Sequence, residues 1–415
     1  MPISKDFQGR LYPYLDKIVA EFGTPFHIYD ENGIRETALR LNAVFSDFSF
    51  REYYATKALP NPHILAILRD VGCGFDCSSI AELLLARQVG ATGDDIMFTS
   101  NNTSHAEFEV ALANGGAIIN LDDVALLERL PTRPERISFR LNSGNDMGNS
   151  IIGKPESAKF GIPRERIMDA YRAAQAYGIQ RFGLHTMVVS NECDIRPHLD
   201  SIAGLCQLAQ ALQHELGIRL EFINIGGGLG IPYHPNEPVL DLEAFANGIR
   251  QLWQDFELED VALLMESGRY MTAPHGVLVT RVINRKESYR TYIGVDANMS
   301  ALMRPAMYGA YHHIDVLPKS VTAVTEVVDV VGALCENNDK FAIQRTLPIT
   351  APDDLMVIHD TGAHGHAMGF NYNGRLRPQE LLLRADGTVA RIRRAQTLDD
   401  YFATLQFESH TLPLS

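Results

Sequence analysis

The sequence predicts an α/β protein: a (β/α)8 barrel followed by a mainly β domain. Three observations carry that prediction. Short apolar runs alternate with helical stretches between about residues 50 and 270, and such alternation implies parallel βαβ units. Eight such runs fall within about 220 residues, the count and size of an eight-stranded barrel. After Pro274 the pattern changes to short alternating strands with little helical signal. A doubly wound open sheet is the competing arrangement of the same units.

Taken in order, the first 25 residues hold one amphipathic helix, Tyr12–Phe22. Phe26–Tyr29 reads as a strand ahead of the barrel; pairing with the C-terminal domain would make that domain discontinuous. The barrel strands are Tyr53–Lys57, Gly74–Cys77, Ile96–Ser100, Ile118–Asp122, Ile137–Leu141, Phe182–Met187, Phe222–Ile225 and Ala262–Glu266. Between them, Pro62–Arg69, Ile80–Val89, Arg164–Tyr177 and Ile202–Leu216 repeat apolar residues at three- and four-residue spacing, the signature of a half-buried helix. Gly276–Ile283 and Arg290–Val295 alternate like antiparallel strands, with Arg285-Lys286-Glu287-Ser288 as a polar turn. Thr322–Val331, Asp354–Ile358 and Leu381–Leu383 follow as strands, and Leu398–Leu405 as a tail helix. The expected division is a barrel over 27–274, and a mainly β domain from 1–26 plus 275–415. No low-complexity segment or repeat beyond the βα alternation is present.

With 415 residues, two domains are the natural expectation. Apolar content of 46% and charged content of 21% describe a soluble globular chain. A net charge of −14 argues against nucleic acid and anionic membrane as main partners. It leaves room for a small anionic ligand in a local basic pocket. Met1-Pro2-Ile3-Ser4-Lys5-Asp6 lacks a signal-peptide pattern, and no apolar run reaches the roughly 18 residues of a membrane span. The five cysteines (Cys73, Cys77, Cys193, Cys206, Cys335) are odd in number and sparse, which suits a reducing cytoplasm. Cys73 and Cys77 have no second Cys/His pair nearby, so no metal site is expected.

Barrel active sites lie at the C-terminal ends of the strands. Lys57 ends the first strand and Asp76 closes the second. Arg140 lies near the end of the fifth, and His185 and Met187 near the end of the sixth. The seventh runs into Gly226-Gly227-Gly228-Leu229-Gly230, and the eighth into Glu266-Ser267-Gly268-Arg269. A lysine at the inner end of a buried strand must pair or shed its charge, and a buried lysine of lowered pKa reacts with carbonyl compounds. A surface lysine after an edge strand is the plain alternative. Consecutive glycines let backbone N–H groups approach a phosphate, at the loops after strands seven and eight where barrels commonly bind one. A dinucleotide fingerprint fits badly, because the spacing is wrong and Pro232 disfavours a helix there; a simple tight turn remains open. Glu266 follows the apolar run Val261–Met265, so it is expected to be buried and partnered. Its partner is either Lys57 or Arg269, or the protonated nitrogen of a pyridine ring. Lysine, phosphate cradle and pyridinium partner together point to pyridoxal 5'-phosphate.

The motifs carry further. Tyr54-Ala55-Thr56-Lys57-Ala58, Gly74-Phe75-Asp76-Cys77-Ser78-Ser79, Ile225–Tyr233 and Glu266–Arg269 occur in order. Arg304-Pro305-Ala306-Met307-Tyr308, Cys335-Glu336-Asn337-Asn338-Asp339 and Asp360-Thr361-Gly362-Ala363 through Met368 to Tyr372-Asn373 follow. In this the chain resembles the fold-type III pyridoxal phosphate-dependent decarboxylases, of alanine racemase-like fold, especially diaminopimelate decarboxylases. The resemblance implies that Lys57 bonds the cofactor aldehyde and that Glu266 holds the pyridine nitrogen. Gly228, Gly268, Arg269 and Tyr372 would serve the phosphate or its surroundings, with Asp76, Met187 and Ser190 also at the cofactor. It implies a homodimer with shared sites, in which Cys335 is the acid toward the carbanion and Glu336 meets the distal amine. Arg304 and Tyr308, with Arg269 and Tyr372, would bind substrate.

Departures matter too. Typical members read His-Ile-Gly-Ser where this chain reads Met187-Val188-Val189-Ser190. Met187 therefore replaces a ring-stacking histidine; a thioether can pack on a π face but supplies neither proton nor charge. His185, two residues upstream, shares the face one layer away. Asn337-Asn338 stands for Ser-Gly, and His364 for a tyrosine. The expected activity is decarboxylation at a D-configured α-carbon, of meso-diaminopimelate to L-lysine. The alternative is D-lysine or D-ornithine, giving cadaverine or putrescine, to which the Asn pair and the lost histidine also point. A racemase and a non-catalytic cofactor-binding protein are the readings of other classes, and the β domain argues against the latter.

Overall fold

The computed structural model describes residues 3–142, 157–187, 189–317 and 324–408. Eight parallel strands close on themselves: Phe50–Ala55, Gly74–Cys77, Ile96–Ser100, Ile118–Leu121, Arg136–Asn142, Arg181–Thr186, Leu220–Asn224 and Ala262–Met265. Each pairs with the next, and the eighth pairs back to the first with Leu263 opposite Phe50. The predicted barrel is therefore present and the open sheet is not. Ile162–Pro163 adds a short strand outside the ring, beside the fifth.

The two-residue period of each strand sorts its side chains. Outward residues such as Tyr54, Phe75, Phe98, Phe139, Leu184 and Ile223 join the large core under the helices. Tyr53, Met97, Ile118, Phe222 and Leu264 form a separate apolar plug. Glycine makes room for its rings: a Cβ on Gly183 would lie 2.1 Å from the Phe222 ring, and one on Gly74 would lie 2.7 Å from Tyr53. One step further along the strands the sequence turns polar, and Asp76, Asn120, Ser138, His185, Asn224 and Glu266 are all buried. The plug closes one end of the barrel, so the polar layer opens only toward the strands' C-terminal ends.

Helix starts follow from capping. Asn61 caps Pro62–Asp70, Ser79 caps Ile80–Gln88, and Ser104 with Glu107 forms a capping box on His105–Leu112. The helix expected from Ile202 begins at Ile195, where Asp194 accepts from the Arg196 N–H. Near the N-terminus two helices, Lys5–Leu11 and Leu15–Phe22, replace the single one expected. They are joined by the turn Tyr12–Tyr14, where Pro13 lacks the N–H to continue an α-helix.

The second sheet has nine strands. Phe26–Asp30 lies inside it, antiparallel to Gly276–Glu287 and parallel to Gln379–Leu383. The boundary expected at residue 27 thus cuts a strand of this sheet. Thr291–Val295, Ile314–Leu317, Thr325–Val331, Lys340–Pro348, Leu355–Ile358 and Val389–Arg393 complete it. Residues 322–323 of the expected strand Thr322–Val331 lie outside the described residues. Arg285-Lys286-Glu287 is strand, not turn: Lys286 pairs with Tyr292, Arg285 ion-pairs with Glu326, and the chain reverses around Ser288–Arg290. The tail helix is shorter than expected, Leu398–Phe402. Among the described residues no helix is long and apolar enough to cross a membrane, and no group of three or more His, Cys, Asp or Glu is placed to hold a metal ion.

Candidate active site

The polar end of the barrel forms a solvent-connected chamber of about 610 Å³. Lys57, Arg140, His185, Met187, Ser190, Gly228, Glu266, Gly268, Arg269 and His364 are among its lining residues. Lys57 is not the buried strand residue expected. The first strand stops at Ala55, Thr56–Ala58 makes a helical turn, and the lysine side chain is 56% exposed. Its Nζ lies 3.7 Å from Asp76 Oδ2. Asp76 is fully enclosed, and burial and the nearby Glu266 charge push its carboxyl up to about 8 against the pull of Lys57.

Glu266 finds partners other than the two cations expected. His185 Nε2 lies 3.1 Å from one carboxylate oxygen, and Asn224 Nδ2 donates to the other at 2.8 Å. Burial acts to raise this carboxyl, but His185, Lys57 and Asn224 outweigh it and hold the group below its usual range. The barrel thus keeps an ionised carboxylate at the chamber floor.

The glycine loop admits no side chain. A Cβ on Gly226, Gly227 or Gly228 would lie 2.3 to 2.4 Å from the backbone oxygens of Thr186, Glu266 and Val189 respectively, and Gly228 has φ +96°. Asn224 Oδ1 accepts from Gly226 N–H at 2.8 Å, and Glu266 N–H donates to Gly226 O at 2.8 Å. Met187 pins the loop through its sulfur, which accepts from Gly227 N–H at 3.1 Å. Gly268 lets the Ser267–Arg269 turn pack on the Lys57 turn, since its Cβ would lie 2.8 Å from that of Ala58.

Two buried guanidinium groups meet Tyr233. Arg269 donates to the Tyr233 hydroxyl at 2.6 Å, and Arg304 lies 4.6 Å over its ring. Arg304 also donates to His312 Nε2 at 2.9 Å, while His312 Nδ1–H donates to His359 O at 2.7 Å. Among the described residues, neither guanidinium has a carboxylate at ion-pair distance, although both are at least 91% buried.

The remaining candidates lie elsewhere. Cys335 and Glu336 are exposed on the loop before Lys340–Pro348 and do not line the chamber of their own chain. Cys335 N–H donates to Asn373 Oδ1 at 2.6 Å, which sets this loop beside half-exposed Tyr372. Tyr308 is half-buried at the end of the short helix Arg304–Tyr308, outside the chamber lining. Val188 lies outside the described residues.

Sequence reasoning did not select His364, Asn224 or Tyr233. His364 reaches the chamber from the second domain, tied by its N–H to Ala58 O at 2.8 Å and held at φ +56°. Burial and the cations Arg269, Arg304 and Lys57 keep its imidazole well below its usual range, so it is neutral. Asn224 was within reach, because strand alternation puts it inward beside the glycine loop.

Residues 32–273 match the family model described as pyridoxal-dependent decarboxylase, pyridoxal binding domain. The chain is 50% identical over 410 residues to Protein TabA of Pseudomonas amygdali pv. tabaci, covering 98% of this chain and 97% of that one. It is 38% identical over 395 residues to diaminopimelate decarboxylase of Methanothermobacter thermautotrophicus, covering 92% of each. The crystal structure of diaminopimelate decarboxylase from Helicobacter pylori complexed with L-lysine superposes with a TM-score of 0.88 at 29% identity, over 94% of this chain and 98% of that one.

Proposed function

Because the chain belongs to the pyridoxal-dependent decarboxylases, we propose that it removes the carboxylate at the D-configured carbon of meso-diaminopimelate and releases L-lysine. The observation that carries this substrate is the buried pair Arg269 and Arg304, with no carboxylate at ion-pair distance among the described residues and only Asp360 acting on Arg304 from further off. Two enclosed cations call for anions. The cofactor phosphate answers one, and a distal substrate carboxylate answers the other.

The residues present fit pyridoxal 5'-phosphate. Lys57 would bond its aldehyde carbon, and Glu266 would face its ring nitrogen. Gly228, Gly268 and Arg269, which lie together in the chamber lining, would hold its phosphate. Asp76, Met187 and Ser190 would flank it, with Tyr372 near the phosphate. When bound, the cofactor supplies an electron sink for the pair left as carbon dioxide departs. The chain's own work is positioning and proton control. Glu266, kept ionised by His185 and Asn224, holds a proton at the ring nitrogen. Arg304 anchors the far carboxylate, and Tyr308 supports that end.

Cys335 and Glu336 face solvent, so we place them in the chamber of a second copy. There, Cys335 of the partner subunit gives the proton that replaces the lost carboxylate, and Glu336 of the partner subunit meets the distal amine. Mixing the inactive variants Lys57→Ala and Cys335→Ala should recover part of the activity; none, despite proven subunit exchange, counts against shared sites. The free cysteines, sparse along the chain, favour a cytoplasmic enzyme.

The second reading is a D-lysine or D-ornithine decarboxylase, favoured by Asn337-Asn338, exposed in the loop that carries Cys335. Product analysis separates the two. L-Lysine from meso-diaminopimelate, with little reaction of D-lysine or D-ornithine, supports the first. Cadaverine or putrescine from the D-amino acids alone overturns it.

A further inference from the structure

We propose that Asp76 is the internal base of Lys57, taking one ammonium proton so that the amine is free to react without a base from solvent. The step is balanced within the pair. A Lys57 Nζ–H bond breaks, its electrons stay on nitrogen as the lone pair, and the proton joins Asp76 Oδ2. The inference rests on Lys57 being the cofactor lysine.

Geometry carries it. Asp76 is 2% exposed, and Lys57 is the cation whose Nζ lies 3.7 Å from its Oδ2. Lys57 extends into the open chamber, so a small side-chain rotation brings the two atoms into hydrogen-bond contact. Asp76 Oδ1 has no hydrogen-bond partner among the described residues. The nearby Thr99 hydroxyl favours the ionised form but is outweighed by burial and Glu266, and an ionised carboxylate without a well-formed bond there costs more than a carboxylic acid.

The surroundings favour the protonated acid. Glu266 faces Asp76 from the eighth strand, Glu52 from the first, and Glu82 from the helix after it. The Cys77 thiol adjoins it. Lys57 and Arg140 are the opposing cations. Glu266 is held ionised by its own partners, His185 and Asn224 among them. A second negative charge beside it is disfavoured.

A structural ion pair would make the opposite prediction, since an ionised Asp76 would hold the proton on Lys57. The test is reductive methylation of the full-length, cofactor-stripped protein with formaldehyde and cyanoborohydride between pH 6 and 8. Dimethyl-Lys57 is read by peptide mass, with exposed Lys17 as internal reference. A lysine that loses its proton to solvent labels about tenfold faster per pH unit. A pair sharing one proton keeps a constant fraction of free amine, so Lys57 should label at a nearly flat rate while Lys17 climbs. A tenfold rise per pH unit at wild-type Lys57 overturns the proposal without any variant.

In Asp76→Asn, Lys57 should become about tenfold slower at pH 7 and should climb with Lys17, whereas Asp76→Glu should keep the flat profile. Labelling of Asp76→Asn as fast as wild type, or faster, overturns the proposal. Trapping with pyridoxal 5'-phosphate and cyanoborohydride separates the two assignments. Attachment at Lys57 at equal rates in wild type and Asp76→Asn leaves the cofactor lysine standing and removes Asp76. Attachment at another lysine removes both.

Discussion

Glu266→Gln isolates the charge at the chamber floor, because it keeps the side chain's length and most of its shape. In the native protein two hydrogen bonds reach this carboxylate, from His185 at 3.1 Å and Asn224 at 2.8 Å. Bonds to a charged group are worth about 1.5–3 kcal/mol and neutral ones about 0.5–1.5 kcal/mol. Losing the charge should weaken the pair by about 2 kcal/mol, while removing a buried charge relieves a burial cost of similar size. Stability of the cofactor-free protein should therefore change by less than about 2 kcal/mol. Cofactor binding has no such compensation. A charge-assisted bond to the ring nitrogen becomes a neutral one, so affinity should fall about 10- to 100-fold. Carbon dioxide release at saturating cofactor should fall at least as far, because the electron sink is weakened. The assay is a cofactor titration followed by quenching of the single tryptophan, Trp253, beside a turnover measurement. Affinity and turnover both within twofold of wild type would refute the placement of Glu266 at the ring nitrogen.

Three further outcomes follow from the same structure. Gly228→Ala should cost about 2 kcal/mol or more, because φ is +96° and the new Cβ meets Val189 O at 2.4 Å; cofactor titration should show the loss, and native affinity would mean that the loop is not the cradle. Arg304→Met should raise KM for diaminopimelate about 10- to 100-fold without slowing a substrate that lacks the distal carboxylate. Its melting temperature should hold or rise, since an unpaired buried cation is removed. Acid stability should depend on Glu380, whose burial would raise its pKa but whose partners His366, Arg393 and Tyr29 lower it from 4.5 to about 2. A depressed carboxyl stabilises the fold above its unfolded pKa, and that contribution is lost as pH falls from 4.5 toward 2. The depression sets an upper bound of about 3 kcal/mol, reduced at pH 7 because His366 is held neutral there, so Glu380→Gln should lose less than that at pH 7 and almost nothing near pH 2, as read from denaturant midpoints across pH.

The barrel was legible because each strand is a short apolar run between helices that carry their own caps. Several runs carry an inward polar residue near their ends, and Thr99, Arg140, His185 and Glu266 line the chamber. The second sheet was less legible for a physical reason. Lys340–Pro348 has Gln344, Arg345 and Thr346 in its middle and bulged pairing with Thr325–Val331, so no two-residue period survives. Val389–Arg393 pairs on one side only, and alternates arginine with small or aliphatic residues. At the site, residue type and rim position were enough to select Lys57, Glu266 and the glycine loop. They could not place Lys57 in the open chamber, because that depends on where the strand stops hydrogen bonding. They also could not bring in His364 or Tyr233, which arrive by tertiary contact from loops without a periodic signal.

The chamber is electrically divided, and the division would favour one orientation of a bound cofactor. Its floor carries the ionised Glu266, and its side carries Arg269, with Arg304 packed on the Tyr233 ring beyond it. A ligand with a protonated ring at one end and a phosphate at the other is stabilised in one direction and opposed in the reverse. The histidines sharpen this division. His364 and His312 are held neutral among the arginines; His364 lines that side and His312 backs Arg304, and neither adds to its repulsion. His185 faces Glu266 at the other pole, where it supports the negative charge. Replacing His364 with arginine would add a third guanidinium beside Arg269 and Arg304. The expected result is tighter binding of inorganic phosphate. Unchanged phosphate affinity would show that His364 lies outside the anion's field.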